Sequence, residues 1–204
     1  MSHGRQQPLP EISGVILAGG RSSRFGSDKL AARLEGRTLL DLAIAGVAAV
    51  ASEIVVVLAP GDDRTPQPID RPVRLVMDPE RHGGPLVGLL AGLEAVDQPL
   101  TIVAGGDMPT LSAAVLGAMV RALEASDPGW DAVVLASRGD RVPMPAVVRT
   151  GAATTWARQL VGDGERRLRS LFERLPTRAL EEGEWRPFDP DGATLRDVDQ
   201  PGDL

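Results

Sequence analysis

Only one of the chain's 22 basic residues is a lysine. Lys29 closes the run Val15-Ile16-Leu17-Ala18-Gly19-Gly20-Arg21-Ser22-Ser23-Arg24-Phe25-Gly26-Ser27-Asp28-Lys29, and every other cation is arginine. A composition that replaces lysine wherever arginine serves marks Lys29 as a position where it does not. An ammonium is a compact point charge that fits between phosphate oxygens, whereas a guanidinium is wide and planar. Glycines ahead of it allow backbone N–H groups to approach an anion, and Arg21, Arg24 and Lys29 supply local positive charge. The loop is thus either a phosphate cradle or a plain glycine-rich turn. It matches neither GxxxxGK[ST] nor GxGxxG.

Further polar groups stand where apolar runs end. Asp107 follows Leu100-Thr101-Ile102-Val103-Ala104-Gly105-Gly106, and a carboxylate there either holds Mg²⁺ near a phosphate or shapes the turn into the next helix. Gly83-Gly84-Pro85-Leu86-Val87-Gly88 opens a helix; its start presents N–H groups to an anion or base edge, or is simply a tight turn with Pro at the first position. Asp78 pairs with a ligand or initiates the Asp-Pro turn. Arg166, Arg167 and Arg169, after Gly162-Asp163-Gly164, either clamp an acceptor phosphate bidentately or solvate a helix whose stripe is Leu168, Leu171, Phe172 and Leu175.

The elements that must position these groups follow from patterning. Strands are expected at Ile12–Leu17, Ile54–Ala59, Val73–Met77, Leu100–Ala104 and Asp131–Ala136, and helices at Leu39–Val50, Leu86–Val96 and from the cap Ser112 to Ala125. Pro145–Arg149 reads as a strand that Pro143 and Pro145 confine to a sheet edge. Thr154–Val161 and Arg166–Leu175 are looser helical patterns before an acidic turn at Glu181–Glu184. Continuous apolar strands imply burial on both faces. Alternation with helices predicts a single-domain, three-layer α/β sandwich with a mainly parallel sheet, whose ligands bind outside the carboxyl ends of the strands.

Composition narrows the function. The chain has 204 residues, 43 % hydrophobic and 25 % charged, which suits one substantial core. The net charge of −6 argues against coating nucleic acid, and three Phe and three Trp make a base-stacking platform improbable on composition. Zero cysteine excludes disulfides and thiolate chemistry and fits the cytoplasm. No apolar run reaches the roughly 20 residues of a membrane span. Residues 1–10 are polar and Pro-rich, expected as a disordered leader ahead of a domain at 11–204.

Together Leu17-Ala18-Gly19-Gly20-(x)3-Arg24-Phe25-Gly26-(x)-Asp28-Lys29 is similar to the signature of the nucleotide-sugar-pyrophosphorylase-like nucleotidyltransferases. The second glycine and the GxDK ending resemble the molybdenum cofactor guanylyltransferase branch. Asp78, the Gly-Pro-Leu helix start, Gly106-Asp107-Met108-Pro109, Gly164-Glu165-Arg166-Arg167 and the terminal Asp197-Val198-Asp199-Gln200-Pro201-Gly202-Asp203-Leu204 follow in the branch's order, over about residues 12 to 204. The resemblance implies a nucleotide-diphospho-sugar transferase type fold and Mg²⁺-dependent transfer of GMP from GTP to the phosphate of molybdopterin or its molybdate-loaded form. It implies nucleotide contacts at Leu17, Ala18, Gly19, Gly20, Lys29, Asp78, Gly84, Pro85 and Asp107, with Arg24, Lys29 and Asp107 catalytic. Acceptor contacts fall at Arg166, Arg167 and Arg169, and metal ligation at Asp107 and Asp199. The implied partners are the two small molecules, with transient contacts to cofactor-handling proteins or target enzymes. The chain departs from the branch at Leu58-Ala59-Pro60 and Asp197/Asp199, where relatives often carry Asn. Rival readings are a transferase for CTP, a sugar phosphate or a phospho-acid, and a non-enzymatic nucleotide-binding or adaptor protein.

Overall fold

The computed structural model describes residues 11–19, 29–81, 83–125, 129–198 and 201–203. In chain order these form β1 (Ile12–Ala18), a small hairpin of β2 (Arg33–Leu34) and β3 (Arg37–Thr38), α1 (Leu39–Ala48), β4 (Glu53–Leu58), β5 (Val73–Met77) and α2 (Pro85–Glu94). There follow β6 (Leu100–Gly105), α3 (Ala113–Glu124), β7 (Ala132–Ser137), β8 (Asp140–Arg149), α4 (Thr150–Gly162), α5 (Leu168–Arg174), β9 (Thr177–Leu180) and α6 (Glu182–Trp185). The expected leader, residues 1–10, lies outside the described residues.

Seven strands make one sheet in the order β5-β4-β1-β6-β8-β7-β9. β5, β4, β1 and β6 run parallel, β8 runs against both its neighbours, and β9 runs parallel to β7. The sheet is therefore mainly parallel, as its apolar strands require. Successive side chains of β4 show why: Ile54, Val56 and Leu58 join the core layer beneath α1 and α3, while Val55 and Val57 join the layer beneath α2, α4 and α5. Both faces are dry, so no polar alternation is tolerated.

Capping residues start the helices where the sequence places them. Thr38 Oγ1 accepts from the N–H of Asp41 at 3.1 Å, and Ser112 Oγ from that of Val115 at 3.4 Å. Asp41 is itself buried, yet its carboxylate accepts from Thr38 Oγ1 at 2.6 Å and from the N–H of Gln67 at 2.8 Å, which ties down the long connection between β4 and β5. Among the described residues no buried side-chain polar atom lacks a partner.

Two expectations fail. The proline-bearing strand is not at an edge: β8 spans ten residues and sits between β6 and β7. Its prolines are tolerated because Pro143 and Pro145 fall in an irregular stretch, between Val142, paired with Leu135, and Ala146, paired with Val134 and Val103. No ladder N–H is required there. The chain after Thr150 also holds more regular structure than its pattern suggests, including β9 and the short α6. α6 buries Trp185 completely and aims its indole N–H at the Ala136 carbonyl, 3.0 Å away. No helix among the described residues is long and apolar enough to cross a membrane.

α2 reaches the sheet through a missing side chain. A Cβ at Gly92 would lie 2.5 Å from Val15 Cγ1 and 3.0 Å from Val57 Cγ2, and β-branched strand residues have little rotameric room to yield. Gly92→Ala gains roughly 1 kcal/mol of helix propensity but over-packs the interface at a cost of about 1–3 kcal/mol. A net loss of up to about 2 kcal/mol is expected in denaturant unfolding; a net gain would mean α2 is free to lift off the sheet.

Candidate active site

β1, β4 and β6 end side by side, and the backbone brings their exits together. The N–H of Gly106, just past β6, donates to the carbonyl of Leu17 near the end of β1 at 3.0 Å. Asp107 is thereby set beside the exit of β1. Its carboxylate rests over Gly105, where a Cβ would come within 2.5 Å of Oδ1. Its other oxygen, Oδ2, lies 2.8 Å from Lys29 Nζ, with the lysine side chain 12 % and the aspartate 30 % exposed. The two residues read from opposite parts of the sequence thus form one half-buried ion pair. A terminal strap closes over them, since the N–H of Val198 donates to the Asp107 carbonyl at 3.1 Å. Gly20, Arg21, Arg24, Asp28 and Asp199 lie outside the described residues.

Next to the Gly106–Leu17 contact a cavity of about 330 Å³ opens over the exits of β1 and β4. Leu17, Gly19, Asp78, Gly84 and Pro85 line it, all singled out in the sequence except for being one surface. Ala59 and Pro60 form one wall, so backbone and apolar atoms face the cavity there. Ala18 lies buried behind the lining. Glu80 and Arg81 also line the cavity and carried no signal in the sequence, and so does Gly88, named there only as part of the helix-opening run. Gly88 was legible in principle, as the middle of a Gly84-Gly88-Gly92 series at helical spacing. A Cβ there would lie 3.2 Å from Asp78 Oδ2.

The start of α2 contributes shape rather than free donors. Pro85 has no N–H, and that of Leu86 donates to the Arg166 carbonyl at 3.2 Å. Gly84 adopts a φ of +88°, and a Cβ would stand 2.8 Å from that same carbonyl. Only glycine meets both demands.

Asp78 shares the cavity lining with a second acid, Glu80. Its Oδ1 accepts from the N–H of Glu80 at 2.9 Å. Desolvation by burial, with the nearby Glu80 carboxylate adding to it, pushes its carboxyl above the ordinary aspartate value of 3.8 despite that hydrogen bond.

The three candidate acceptor arginines are not brought to one point. Arg166 donates through Nη1 to the carbonyls of Val161 and Glu165, both at 3.0 Å, and pairs through Nη2 with Glu80 at 3.4 Å. Arg167 pairs with Glu165 at 2.7 Å. That glutamate also receives the N–H groups of Arg166 and Arg167 and the Ser170 hydroxyl. Led by Arg167, these donors hold the Glu165 carboxyl well below the usual carboxylate range. Arg169, one residue inside α5, lines a second cavity.

A divalent cation finds a suitable donor set at Asp107. Mg²⁺ is held by one or two carboxylates plus substrate phosphates rather than by an all-protein cage. A single carboxylate seated over Gly105, with a lysine to neutralise it meanwhile, fits that requirement. Among the described residues no group of three or more His, Cys, Asp and Glu side chains offers a rival cage.

A mainly parallel sheet with a glycine-rich first exit, a following lysine and an aspartate at a neighbouring exit is the arrangement that the sequence led one to expect of a nucleotidyltransferase. The sequence profile of the MobA-like NTP transferase domain matches residues 14–179. The chain is 35 % identical to a probable molybdenum cofactor guanylyltransferase of Chloroflexus aggregans, over 95 % of this chain and 91 % of the relative. It is 34 % identical to the molybdenum cofactor guanylyltransferase of Burkholderia ambifaria, over 89 % and 91 %. Among solved structures, molybdopterin-guanine dinucleotide biosynthesis protein A from Archaeoglobus fulgidus superposes with a TM-score of 0.73 at 21 % identity, covering 94 % of each chain. 2-C-methyl-D-erythritol 4-phosphate cytidylyltransferase from Thermus thermophilus does so with a TM-score of 0.65 at 20 % identity, covering 93 % of each. The chain belongs to the molybdenum cofactor guanylyltransferase family, and it is a nucleotidyltransferase of molybdenum cofactor biosynthesis.

The raised Asp78 carboxyl makes a stability prediction. The folded protein holds that proton to higher pH than the unfolded chain, so this group's contribution declines as pH rises from about 3.8 through the raised value. Above that window the ionised carboxylate is a standing cost of the fold. Asp78→Asn keeps an oxygen for the Glu80 N–H and is expected to unfold at higher temperature than wild type near pH 7, with the gap closing toward pH 3.5. A variant less stable at pH 7 would show that the charge is a structural support.

Proposed function

We propose that the enzyme transfers GMP from GTP to the terminal phosphate of molybdopterin, or of its molybdate-loaded form, and releases pyrophosphate. The observation that supports this best is the Lys29–Asp107 pair at the exit of β6, which the Gly106–Leu17 hydrogen bond ties to the exit of β1, where Leu17 lines the cavity that holds Asp78. Cation, carboxylate and base pocket are then arranged along one line of strand exits. Guanine enters the cavity with its N1–H and 2-amino donors toward Asp78, a carboxylate being matched to two adjacent N–H groups. Adenine and cytosine each present an acceptor there, and an unmatched buried acceptor costs about 1–3 kcal/mol.

The triphosphate runs from the cavity past Gly19 and Gly20 to Lys29. Lys29 and Arg24 neutralise the charge on the β- and γ-phosphates as it builds toward departure. The acceptor phosphate is already ionised, so no general base is required. One of its oxygens forms the new bond to the α-phosphorus while the bond from that phosphorus to the β-bridging oxygen breaks, and pyrophosphate carries away the electron pair. Positioning does the rest. Mg²⁺ held by Asp107, with Asp199 as a second ligand, would supply charge neutralisation at the α-phosphate.

The test is pyrophosphate release by purified protein with molybdopterin and each of the four nucleoside triphosphates, with Mg²⁺ or with EDTA. GTP with Mg²⁺ is expected to turn over fastest, and EDTA to abolish release. Equal or faster use of CTP would place the chain functionally among cytidylyltransferases, with Lys29 and Asp107 keeping their roles.

Lys29 gives a sharper prediction. Its Nζ sits in a nearly buried slot 2.8 Å from a carboxylate, where a guanidinium cannot be seated without displacing that carboxylate. Lys29→Arg is therefore expected to lower kcat nearly as far as Lys29→Ala, by roughly 10²- to 10³-fold. Wild-type turnover in the arginine variant would sink the assignment.

A further inference from the structure

Asp78 answers the donors of a guanine, but the same base carries two acceptors, O6 and N7, on the adjoining edge. An acceptor taken out of water without a donor is as costly as an unmatched donor. The cavity over β1 and β4 has few donors to give. Pro85 lacks an N–H, and that of Leu86 is taken by the Arg166 carbonyl. Among the described residues that line the cavity, Arg81 is the one cation and the one side chain with N–H groups.

Two turns hold Arg81 at the rim. On its own side, the N–H of Glu80 donates to Asp78 at 2.9 Å and the N–H of Gly83 to the Glu80 carbonyl at 3.2 Å, so the chain after β5 doubles back. Opposite, the N–H of Asp62 donates to the Ala59 carbonyl at 3.0 Å around Pro60 and Gly61, with Gly61 at a φ of +81°. Proline followed by a glycine of positive φ makes a type II turn, and the carbonyl of its central peptide takes no part in the turn's own hydrogen bond. That carbonyl, of Pro60, accepts from Arg81 Nη2 at 3.1 Å. It is the arginine's one hydrogen bond or ion pair among the described residues. Glu80 turns away to Arg166 at 3.4 Å. A guanidinium has five N–H donors in a rigid fork, so most of them are left for a ligand, and Asp78 and Arg81 line one cavity without pairing with each other.

We infer that Arg81 is a specificity-determining residue for the base, donating to O6 and N7 of guanine beside the N1–H and 2-amino groups that Asp78 accepts. This role rests on the guanylyl-transfer reading above. The fork of a guanidinium matches those two acceptors. Adenine puts an amino group where guanine has O6, so the same donors meet a donor, and Arg81 discriminates by repulsion as well as attraction. The Pro60 carbonyl holds the guanidinium at the rim before a base arrives, which reduces the side-chain freedom lost on binding.

The test titrates GTP, 7-deaza-GTP, in which a C–H replaces N7, and CTP into the full chain with Mg²⁺ by calorimetry. Wild-type protein is expected to bind GTP most tightly and 7-deaza-GTP about fivefold more weakly, the effect of one lost hydrogen bond. Arg81→Ala should raise the Kd for GTP about tenfold and bring the two purine nucleotides within about twofold of each other. In turnover, its KM for GTP should rise while kcat at saturating GTP stays within about twofold, because the contact is the same in the ground and transition states. An Arg81→Ala protein that weakens both purines equally and keeps the gap between them would show that the arginine only props the turn at Pro60, and the assignment is overturned. Unchanged GTP affinity in that variant, or a wild type that does not distinguish GTP from 7-deaza-GTP, overturns it as well. CTP bound by wild type as tightly as GTP would instead overturn the guanylyl-transfer reading, and the role of Arg81 with it.

Discussion

A lysine and an aspartate 78 positions apart can meet at 2.8 Å only if the ends of two neighbouring strands are held in strict register. The hydrogen bond from Gly106 to Leu17 does this. The pair sets a cation and a carboxylate 2.8 Å apart at the junction of these strand exits. The terminal strap through Val198, the bare Gly105 beneath the carboxylate and the short turn that begins at Lys29 all serve that one contact.

The cavity beside it depends on a different constraint, the closeness of α2 to the sheet. With side chains at Gly88 or Gly92 the helix would be pushed outward, and Asp78, Leu17 and Pro85 would no longer share a surface. The Arg166 carbonyl then fixes the helix from outside. The Gly-Glu-Arg-Arg turn therefore belongs partly to the architecture of the nucleotide cavity, because a glutamate that gathers two backbone N–H groups and a hydroxyl sets where that carbonyl points.

How much of this was legible depended on the range of the signal. β5 was readable to the residue, and α1 and α3 nearly so, because apolar runs, caps and turn formers are local. Lys29 and Asp107 were legible as individual chemistries, and their order matched a known signature. That they touch could not be read from spacing, since it is decided by sheet register. The prolines of β8 misled for a physical reason: proline forbids a ladder hydrogen bond, but an irregular stretch that needs none lies inside the sheet as readily as at its edge. α6 was hidden because Glu181, Glu182 and Glu184 describe its solvent side, while Trp185, its one buried anchor, stands alone. Glu80 and Arg81 gave no signal at all, being ordinary charged residues until folding sets them at a rim.

The single antiparallel strand has a consequence for how such an enzyme can diversify. Reversing one strand in an otherwise parallel sheet puts a tight hairpin, rather than a helical crossover, at the catalytic end of the molecule. Gly139, at the tip of that hairpin, takes a positive φ and has open space around it. Residues can be added or exchanged there without disturbing a helix, a core layer or the nucleotide side of the sheet. The hairpin turn is thereby set apart from Lys29, Asp107 and the cavity of Asp78, so its length and composition are open to change without touching those groups.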